Sequence, residues 1–331
     1  MLEIHIGCLE YLSLQKFKYL SCLAFCEVDQ FTIVVALLLV VCTVFNLFIL
    51  YKYTPLYNLF KGKNEVIGNS SVSIITANVY QYNSDYHRFI ATVKEIQPDL
   101  VFTGESNNDW EKSLCELEND YPETYKLPQE NTYGMHLYSK LQIKKAQAHY
   151  FVADDIPSME VDLIDREGRS FTFFGVHPPP PSPSEETTSN ERDGELVSIA
   201  KRIAESHENY IVLGDFNTVA WSRVTRLFIK TSQLSDARIG RGLLSTFHAD
   251  YWFFRFPIDL IFHSAAIHVQ KLKVLKHIGS DHLPLLCKFA LDERNEESKK
   301  IEDHLDNQEL EDVETMIDKG NETIGDRDLS T

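Results

Sequence analysis

The sequence predicts an α/β fold behind a single apolar helix, and three observations support this expectation. Apolar, β-favouring runs alternate with helical segments from residue 71 onward. Several of these runs end in a polar side chain. One uncharged stretch, residues 31–50, lies near the start of the chain. A strand, a helix and a second strand joined by short connections predict layered α/β packing, which we expect over residues 71–290.

The uncharged stretch at residues 31–50 has the length of a transmembrane helix. It contains Asn46 as its one strongly polar residue. About 20 residues of helix span a hydrocarbon core of about 30 Å. A buried core helix usually has a shorter apolar run, and a cleaved signal peptide would begin earlier and end in small residues. We therefore interpret the chain as an N-terminal segment (1–30), a single-pass membrane helix (31–50) and a linker (51–70).

The flanks of this helix indicate how it meets a membrane. Tyr51, Tyr53 and Tyr57 follow it, as in an interfacial aromatic belt. Three lysines follow the helix and two precede it, which slightly favours a cytoplasmic main domain under the positive-inside rule. A lipid bilayer is therefore the predicted partner of this segment, and no protein partner is indicated. The lysines are Lys16 and Lys18 before the helix and Lys52, Lys61 and Lys63 after it.

The net charge of −17 is unevenly distributed. Residues 1–63 carry five basic and four acidic residues (+1), residues 64–290 carry 22 and 30 (−8), and residues 291–331 carry five and 15 (−10). A domain at −8 lacks the broad basic surface with which proteins hold nucleic acid. Carboxylates around a metal would account for part of this acidity, so a phosphate substrate is not excluded. The six cysteines have no CxxC spacing, which predicts neither a zinc site nor a disulfide framework.

The remaining elements follow from hydrophobic patterning. A proline loop at residues 178–183 cannot continue a sheet. The acidic segment 291–331 has apolar residues that we expect to be too sparse for a core, which predicts a solvated helix or a disordered tail. These apolar residues are Leu305, Leu310, Val313 and Ile317. The predicted strands are 71–78, 100–105, 133–141, 170–177, 210–213, 257–262 and 285–290, and the predicted helices are 87–96, 192–206 and 221–228.

The strand at residues 210–213 leads into the most informative motif. Gly214 breaks the apolar run, and Asp215 and Asn217 follow. In an extended chain these two side chains project to the same side, where an acid and an amide would suit a phosphate and its metal ion. An ordinary polar turn explains the same residues equally well, because Gly, Asp and Asn are common turn formers.

Other predicted strands also end in residues that bind a divalent ion or a phosphate. Because ligands in open sheets gather at the carboxyl ends of strands, this repetition predicts one site built from many segments. Any one of these residues alone would mean little. The residues are Asn78, Glu105, His177, Asp215, Asn217, Asp259, Asp281 and His282.

Two motifs are specific enough to identify a family. Gly214-Asp-Phe-Asn217 and Gly279-Ser-Asp-His282 resemble the GDFN and SDH signatures of the endonuclease/exonuclease/phosphatase superfamily, over about residues 71–290. Its members include pancreatic-type deoxyribonuclease, AP endonucleases, neutral sphingomyelinases and inositol-polyphosphate 5-phosphatases. Trp221-Ser222 and the Pro257-Ile-Asp259 segment bring the chain closer to bacterial membrane-anchored members. The resemblance implies a four-layer α/β sandwich, in which two packed mixed β-sheets are flanked by helices.

The resemblance also implies a metal site. Glu105 would be the main ligand of a Mg²⁺ (or Mn²⁺) ion, with Asn78 beside it and Asp281 near the metal. Oxygen ligands of this kind suit such hard cations.

The resemblance further implies the roles of the other site residues. Asp215 would orient and deprotonate the attacking water, and Asn217 would hold a phosphate oxygen. His282, positioned by Asp259, would bind the phosphate or transfer a proton, since a carboxylate behind an imidazole fixes its tautomer. His177 would make a second phosphate contact. Arg192 would reach the substrate phosphate, although a solvated helix residue is equally consistent with its position.

His177 lacks one expected partner. In the deoxyribonuclease branch a glutamate supports this histidine, whereas Met135 and His136 fall near the corresponding strand here.

The sequence thus predicts a membrane-anchored, metal-dependent phosphoesterase. A nuclease is one interpretation, and a lipid or small-molecule phosphodiesterase or phosphatase is another. A non-catalytic membrane-anchored scaffold is a third, and its mark would be the loss of a ligand. None of the core positions is lost in this chain.

Overall fold

A computed structural model describes residues 29–61, 71–181, 188–206, 208–292 and 304–323, and divides the chain into two compact units, 1–51 and 52–331. In the first unit, helix α1 (Gln30–Tyr51) covers the predicted apolar stretch, and none of its residues is buried. It is long and apolar enough to cross a membrane, although a signal sequence has the same features. The predicted N-terminal segment lies, up to residue 28, outside the described residues.

The second unit combines strands and helices along the chain. Its helices are α2 (Pro55–Lys61), α3 (Tyr86–Ile96), α4 (Asn108–Leu114), α5 (Asn190–Ala204), α6 (Arg223–Ser232) and α7 (Asn307–Glu322), with a 3₁₀ turn at Cys115–Asn119. Its strands are β1 (Val72–Asn78), β2 (Leu100–Gly104), β3 (Glu123–Leu127), β4 (Met135–Ser139), β5 (Gln142–His149), β6 (Ser158–Ile164), β7 (Ser170–Val176), β8 (Tyr210–Asp215), β9 (Ser235–Asp236), β10 (Asp259–His263), β11 (Ile267–Val274) and β12 (Leu285–Leu291).

The strands form two mixed six-stranded sheets, in the orders β11-β12-β1-β2-β4-β3 and β5-β6-β7-β8-β10-β9. One pair in each sheet is parallel, β1 with β2 and β7 with β8. The main core lies between the sheets, where Phe102 and Phe173 have ring centroids 5.2 Å apart. Two further apolar cores lie on the helical sides. The predicted four-layer α/β sandwich is therefore confirmed.

Strand β8 shows why the central strands read as continuous apolar runs. All six of its residues are buried. Ile211 and Leu213 belong to the core between the sheets, and Tyr210 and Val212 belong to the core on the helical side. Both faces of the strand are covered, so the side chains from Tyr210 to Leu213 are apolar whichever face they point to.

The strand register gathers polar residues at one edge of the sandwich. In the first sheet, Asn78 at the end of β1 is level with Gly104 at the end of β2. In the second sheet, Asp259 at the start of the antiparallel β10 is level with Asp215 at the end of β8. Opposite strand directions therefore bring the first residue of one strand beside the last residue of another.

Residues that follow α1 make tertiary contacts, and Tyr53 does not fit the expected aromatic belt. Tyr53 is only 1% exposed and contacts Trp221 edge to face, with ring centroids 6.1 Å apart. The amide of Gly240 donates to the carbonyl of Lys52 over 2.8 Å. Burial of an aromatic ring outweighs its preference for a membrane interface here. The rest of the predicted linker, residues 62–70, lies outside the described residues.

The expectation for the acidic tail also needs a correction. Helix α7 packs on α5, and Val313 is 2% exposed in a core that Leu305 and Ile317 help to cover. The helices approach closely because both carry glycine at the crossing, where a Cβ on Gly194 would lie 3.1 Å from the Cα of Gly320. A helix with few apolar residues can therefore pack on the domain when these residues lie on one face.

Candidate active site

Asn78 and Glu105 connect the two sheets at the polar edge. Glu105 follows β2 in a left-handed conformation, with φ 55°. The side-chain amide of Asn78 donates to Glu105 Oε1 over 2.7 Å and to Asp215 Oδ2 over 3.2 Å. The other Glu105 oxygen accepts from the backbone amide of Gln81 over 3.2 Å. The two predicted neighbours are thus in contact, and both are next to the carboxylate of the second sheet.

Asp215 is held by the tight turn that ends β8. Gly214 has φ 143°, and a Cβ there would lie 2.0 Å from the carbonyl oxygen of Val176, so only glycine fits. Asp215 Oδ1 accepts from the backbone amide of Asn217 over 2.9 Å. The expectation that both side chains project from one extended strand is wrong, because Asn217 is left-handed with φ 48°. Its side-chain amide donates to the carbonyl of Pro178 over 2.9 Å.

His282 lies between two carboxylates. Its Nδ1 is 2.8 Å from Asp259 Oδ2, and its Nε2 is 3.5 Å from Asp215 Oδ2. The hydroxyl of Thr246 also donates to Asp259 Oδ2. The expected Asp259–His282 pairing is present, and it fixes Nδ1 as the protonated position that faces Asp259.

Burial and charge shift the titration of these groups. Burial alone would lower the pKa of His282, but Asp259 and Asp215 outweigh it and raise this pKa to about 10. Burial raises the pKa of Asp215 to about 6, although His282 opposes the shift. Burial also raises the pKa of Glu105 to about 7, against the hydrogen bond from Asn78. These carboxylates are poorly solvated, so a cation beside them would restore their charged forms.

His177 lies between the same carboxylates from the other side. It follows β7 and is 4% exposed. Its Nε2 is 3.9 Å from Glu105 Oε1 and 3.9 Å from Asp215 Oδ2. The ring of Tyr133 is beside it, with centroids 5.4 Å apart. Tyr133 is therefore an aromatic neighbour of His177, and Met135 belongs to the core between the sheets.

Asp281 and Arg192 lie at the margin of this group. Asp281 is half-buried, and its Oδ1 is 3.3 Å from the hydroxyl of Ser280. Arg192 is fixed by Asp193, with an ion pair of 2.7 Å, and donates to the carbonyl of Asn217 over 3.1 Å. Arg192 is therefore a neighbour of the turn after β8 and is not a freely solvated side chain.

Several residues of the site were not predicted from the sequence. The hydroxyl of Ser280 donates to the carbonyl of Asn78 over 2.8 Å and accepts from the amide of His282 over 3.0 Å. Ser280 could have been found, since it belongs to the GSDH motif. Thr246 and Gln81 lie in loops without a motif, and only the tertiary structure brings them to the carboxylates.

Two groupings of these side chains could hold a metal. Asp215, Asp259 and His282 offer atoms within 4.8 Å of one another. However, His282 Nδ1 donates a hydrogen bond to Asp259 Oδ2 over 2.8 Å, so this nitrogen is not free to bind a metal. The predicted set of Glu105, Asn78 and Asp281 offers oxygen atoms alone, as Mg²⁺ and Mn²⁺ prefer. The carboxylates of Glu105 and Asp281 suit such an ion chemically, whereas the amide of Asn78 turns its nitrogen to Glu105 and Asp215 and its oxygen accepts from the backbone amide of Tyr80.

Comparisons with known proteins agree with this geometry. The pattern of the Endonuclease/Exonuclease/phosphatase family matches residues 75–282, which is more than half of the chain. A comparison with curated protein sequences finds no match.

Solved structures share the fold at low sequence identity. D. rerio TDP2 complexed with single strand DNA product has a TM-score of 0.57 and 15% identity, covering 67% of this chain and 100% of that one. The human Nocturnin catalytic domain with bound sulfate anion has a TM-score of 0.53 and 18% identity, covering 67% and 94%. Bacteroides thetaiotaomicron mannosyl-6-phosphatase has a TM-score of 0.53 and 17% identity, covering 66% and 100%. At these identities the likeness shows the fold.

Proposed function

Because the chain belongs to the endonuclease/exonuclease/phosphatase family, whose members are hydrolases of phosphate esters, we propose that it is a membrane-anchored, divalent-metal-dependent phosphoesterase. The observation that carries this proposal is the chain of contacts from Asp259 through His282 to Asp215, beside Glu105.

The metal would be held by Glu105 and Asn78, with Asp281 nearby. A bound Mg²⁺ or Mn²⁺ would neutralise charge on the phosphoryl oxygens and stabilise the leaving oxygen. Support for an ion comes from the carboxylates that meet here with little solvent, since Asp215 is 5% exposed and the side chain of Glu105 is 15% exposed. Without a metal ion, the imidazoles of His177 and His282 would not balance the negative charge of the surrounding carboxylates and of a bound phosphate.

The protein groups would carry out positioning and proton transfer. Asp215 would orient and deprotonate the water, and its raised pKa of about 6 places it near the operating range of a general base. Asp259 and Asp215 raise the pKa of His282 and so favour its protonated form, which would bind a phosphate oxygen or donate a proton. Asn217 and His177 would contact the phosphate, and Arg192 would steady the turn that carries Asn217.

The anchor and the substrate are further parts of the proposal. Helix α1 would cross the bilayer once, and the three lysines after it against two before it favour a cytoplasmic catalytic unit. TDP2 was solved with a DNA product and another relative is a sugar phosphatase, so this fold serves both macromolecular and small substrates. A nuclease and a lipid or small-molecule phosphoesterase both fit the site.

Hydrolysis of soluble chromogenic esters tests the activity. The full chain in detergent is assayed with bis-p-nitrophenyl phosphate and p-nitrophenyl phosphate. We expect Mg²⁺-dependent hydrolysis that EDTA abolishes, and a loss of about 10³-fold in Asp215→Asn, since general-base catalysis contributes about 10²- to 10⁴-fold. Asp154→Asn removes an exposed carboxylate and serves as the matched control.

Two results would contradict the proposal. Hydrolysis that continues undiminished in EDTA, or in the Asp215→Asn variant, would exclude the metal mechanism. A well-folded chain that hydrolyses neither ester would favour the membrane-anchored scaffold.

A further inference from the structure

A run of aromatic side chains projects into solvent beside the candidate site. It belongs to the long connection between β9 and β10, and we call residues 251–256 the aromatic tip. Contiguous exposed apolar patches on soluble proteins mark interaction sites. The exposed fractions are 52% for Tyr251, 82% for Trp252, 73% for Phe253, 57% for Phe254 and 40% for Phe256.

The base of the aromatic tip is attached directly to the catalytic residues. Phe247 contacts the imidazole of His282, with ring centroids 4.8 Å apart. The amide of Ala249 donates to the carbonyl of Asp281 over 2.6 Å. A surface that binds the aromatic tip would therefore lie next to His282 and Asp281.

The same connection also forms hydrogen bonds with the two residues that follow α1. That helix ends at Tyr51. The amide of Gly240 donates to the carbonyl of Lys52 over 2.8 Å, and that of Gly242 donates to the carbonyl of Tyr53 over 2.7 Å. Lys52 and Tyr53 are therefore fixed to the same connection that carries the aromatic tip.

Besides protein interfaces, bilayers and single-stranded nucleic acids take up exposed aromatic rings. Nucleic acids need free cations for their phosphates in addition to stacking. The three arginines of the connection are engaged elsewhere, and residues 64–290 carry a net charge of −8. Trp, Tyr and Phe rings are favoured at the interface of a bilayer. The observations favour the bilayer. Arg238 pairs with Asp236, Arg241 donates to the carbonyls of Ala237 and Val269, and Arg255 donates to those of His248 and Ala249.

We propose that the aromatic tip inserts into the headgroup region of a lipid bilayer and that the substrate is a phosphate ester in the headgroup of a membrane lipid. This inference rests on the proposed function, because it names the substrate class of the same site. With the tip inserted, Phe247 and Ala249 hold His282 and Asp281 next to the lipid phosphates. The tip acts as a membrane contact and takes no part in the bond that breaks.

Intrinsic tryptophan fluorescence tests the insertion without any need for activity. The chain contains three tryptophans, of which Trp110 is fully buried, Trp221 is partly buried and Trp252 is 82% exposed. The full chain is reconstituted into phosphatidylcholine vesicles, with or without bromine on the acyl chains. We expect brominated lipid to quench a component of the emission that Trp252→Phe removes. Equal quenching of the wild type and the variant, or none in either, would overturn the proposal.

A pair of substrates with the same leaving group tests the lipid substrate. Bis-p-nitrophenyl phosphate is soluble, whereas hexadecyl p-nitrophenyl phosphate is held in the vesicle. In the double variant Trp252→Ser/Phe253→Ser we expect unchanged hydrolysis of the soluble ester and a loss of about tenfold or more on the embedded ester, because membrane binding scales with buried apolar area. Tyr150→Ser, which changes an exposed aromatic residue outside the tip, is the control.

The remaining outcomes separate the two proposals. A similar loss on both esters would assign the tip to the catalytic unit and overturn its membrane role. Quenching of Trp252 by an oligodeoxynucleotide, without quenching by brominated lipid, would replace the bilayer with nucleic acid. An absence of hydrolysis of both esters by the wild type would contradict the proposed function, while quenching by brominated lipid would still report the insertion.

Discussion

The polar edge of the sandwich and the aromatic tip beside it have opposite relations to solvent. At the edge, Asp215 and His282 are 5% and 4% exposed, although both are ionisable. At the tip, Trp252 and Phe253 are 82% and 73% exposed, although both are apolar. Burial of ionisable groups costs free energy unless they are paired. An exposed apolar side chain does not contribute the stability that its burial would give to the fold. Both departures are therefore expected at functional surfaces, one for chemistry and the other for contact with a partner.

The largest expected effect comes from removing the main carboxylate of the edge. We expect Glu105→Gln to lower kcat/KM for bis-p-nitrophenyl phosphate by about 10³-fold at saturating Mg²⁺, because the metal would lose its charged ligand. Circular dichroism should remain unchanged. Full activity in a folded Glu105→Gln protein would remove this residue from the metal site.

A smaller loss of activity is expected when His282 is kept and Asp259, which positions its imidazole, is changed. Asp259→Asn keeps the size of the side chain but removes the charge 2.8 Å from His282 Nδ1. We expect kcat to fall about 100-fold with little change in KM, since the imidazole loses its fixed tautomer. Steady-state kinetics measures both constants. A change confined to KM would show that Asp259 only shapes substrate binding.

The pKa values of His136 and His263 are shifted in the opposite direction to that of His282, because burial outweighs the charges around them. Burial lowers the pKa of His136 to about 3 and that of His263 to about 4. The unfolded chain binds these protons near pH 6.5, whereas the folded chain does not, so stability is present above that pH and is lost as the pH falls. The slope reaches about 1.4 kcal/mol per pH unit for each group. Urea unfolding between pH 7 and about pH 5 measures it.

A variant isolates the contribution of one imidazole. We expect His136→Leu to reduce the slope of unfolding free energy against pH, whereas His87→Leu, which changes an exposed residue of α3, should leave it unchanged. Identical slopes in the His136→Leu variant and the wild type would show that this histidine does not remain neutral in the fold.

The smallest stability effect is expected at the tip. Trp252→Ser removes a side chain that is 82% exposed. We expect its unfolding free energy to stay within about 0.5 kcal/mol of the wild type, as for other surface substitutions. Denaturant unfolding in detergent measures this change. A loss of several kcal/mol would mean that the ring is part of the fold and is not reserved for a partner.

The central strands could be predicted from the sequence because both of their faces are buried. Strand β8 is apolar from Tyr210 to Leu213, and the GDFN motif begins in its last two residues, Gly214 and Asp215. By contrast, β5 (Gln142–His149) has mostly polar residues and an exposed edge, so its sequence has no apolar run to detect. Its pairing with β6 depends on backbone hydrogen bonds that any side chain permits.

The members of the candidate site could be predicted, but their geometry could not. Asp259 and His282 were expected to pair because of the motifs, and the structure brings them together. The left-handed turn at Asn217 and the contact of Tyr133 with His177 depend on segments far apart in the chain. The exposure of the aromatic tip was also beyond sequence reasoning, because an aromatic run is expected to be buried.

Metal binding at the polar edge is the most direct test of the central claim. The binding of Mn²⁺ to the full chain is measured by electron paramagnetic resonance, with Glu105→Gln compared against the control Asp154→Asn. The account predicts a Mn²⁺ site in the wild type and in Asp154→Asn that Mg²⁺ displaces, and a weakening of at least about tenfold in Glu105→Gln. Equal binding by Glu105→Gln and the wild type, or no binding by either, would contradict it.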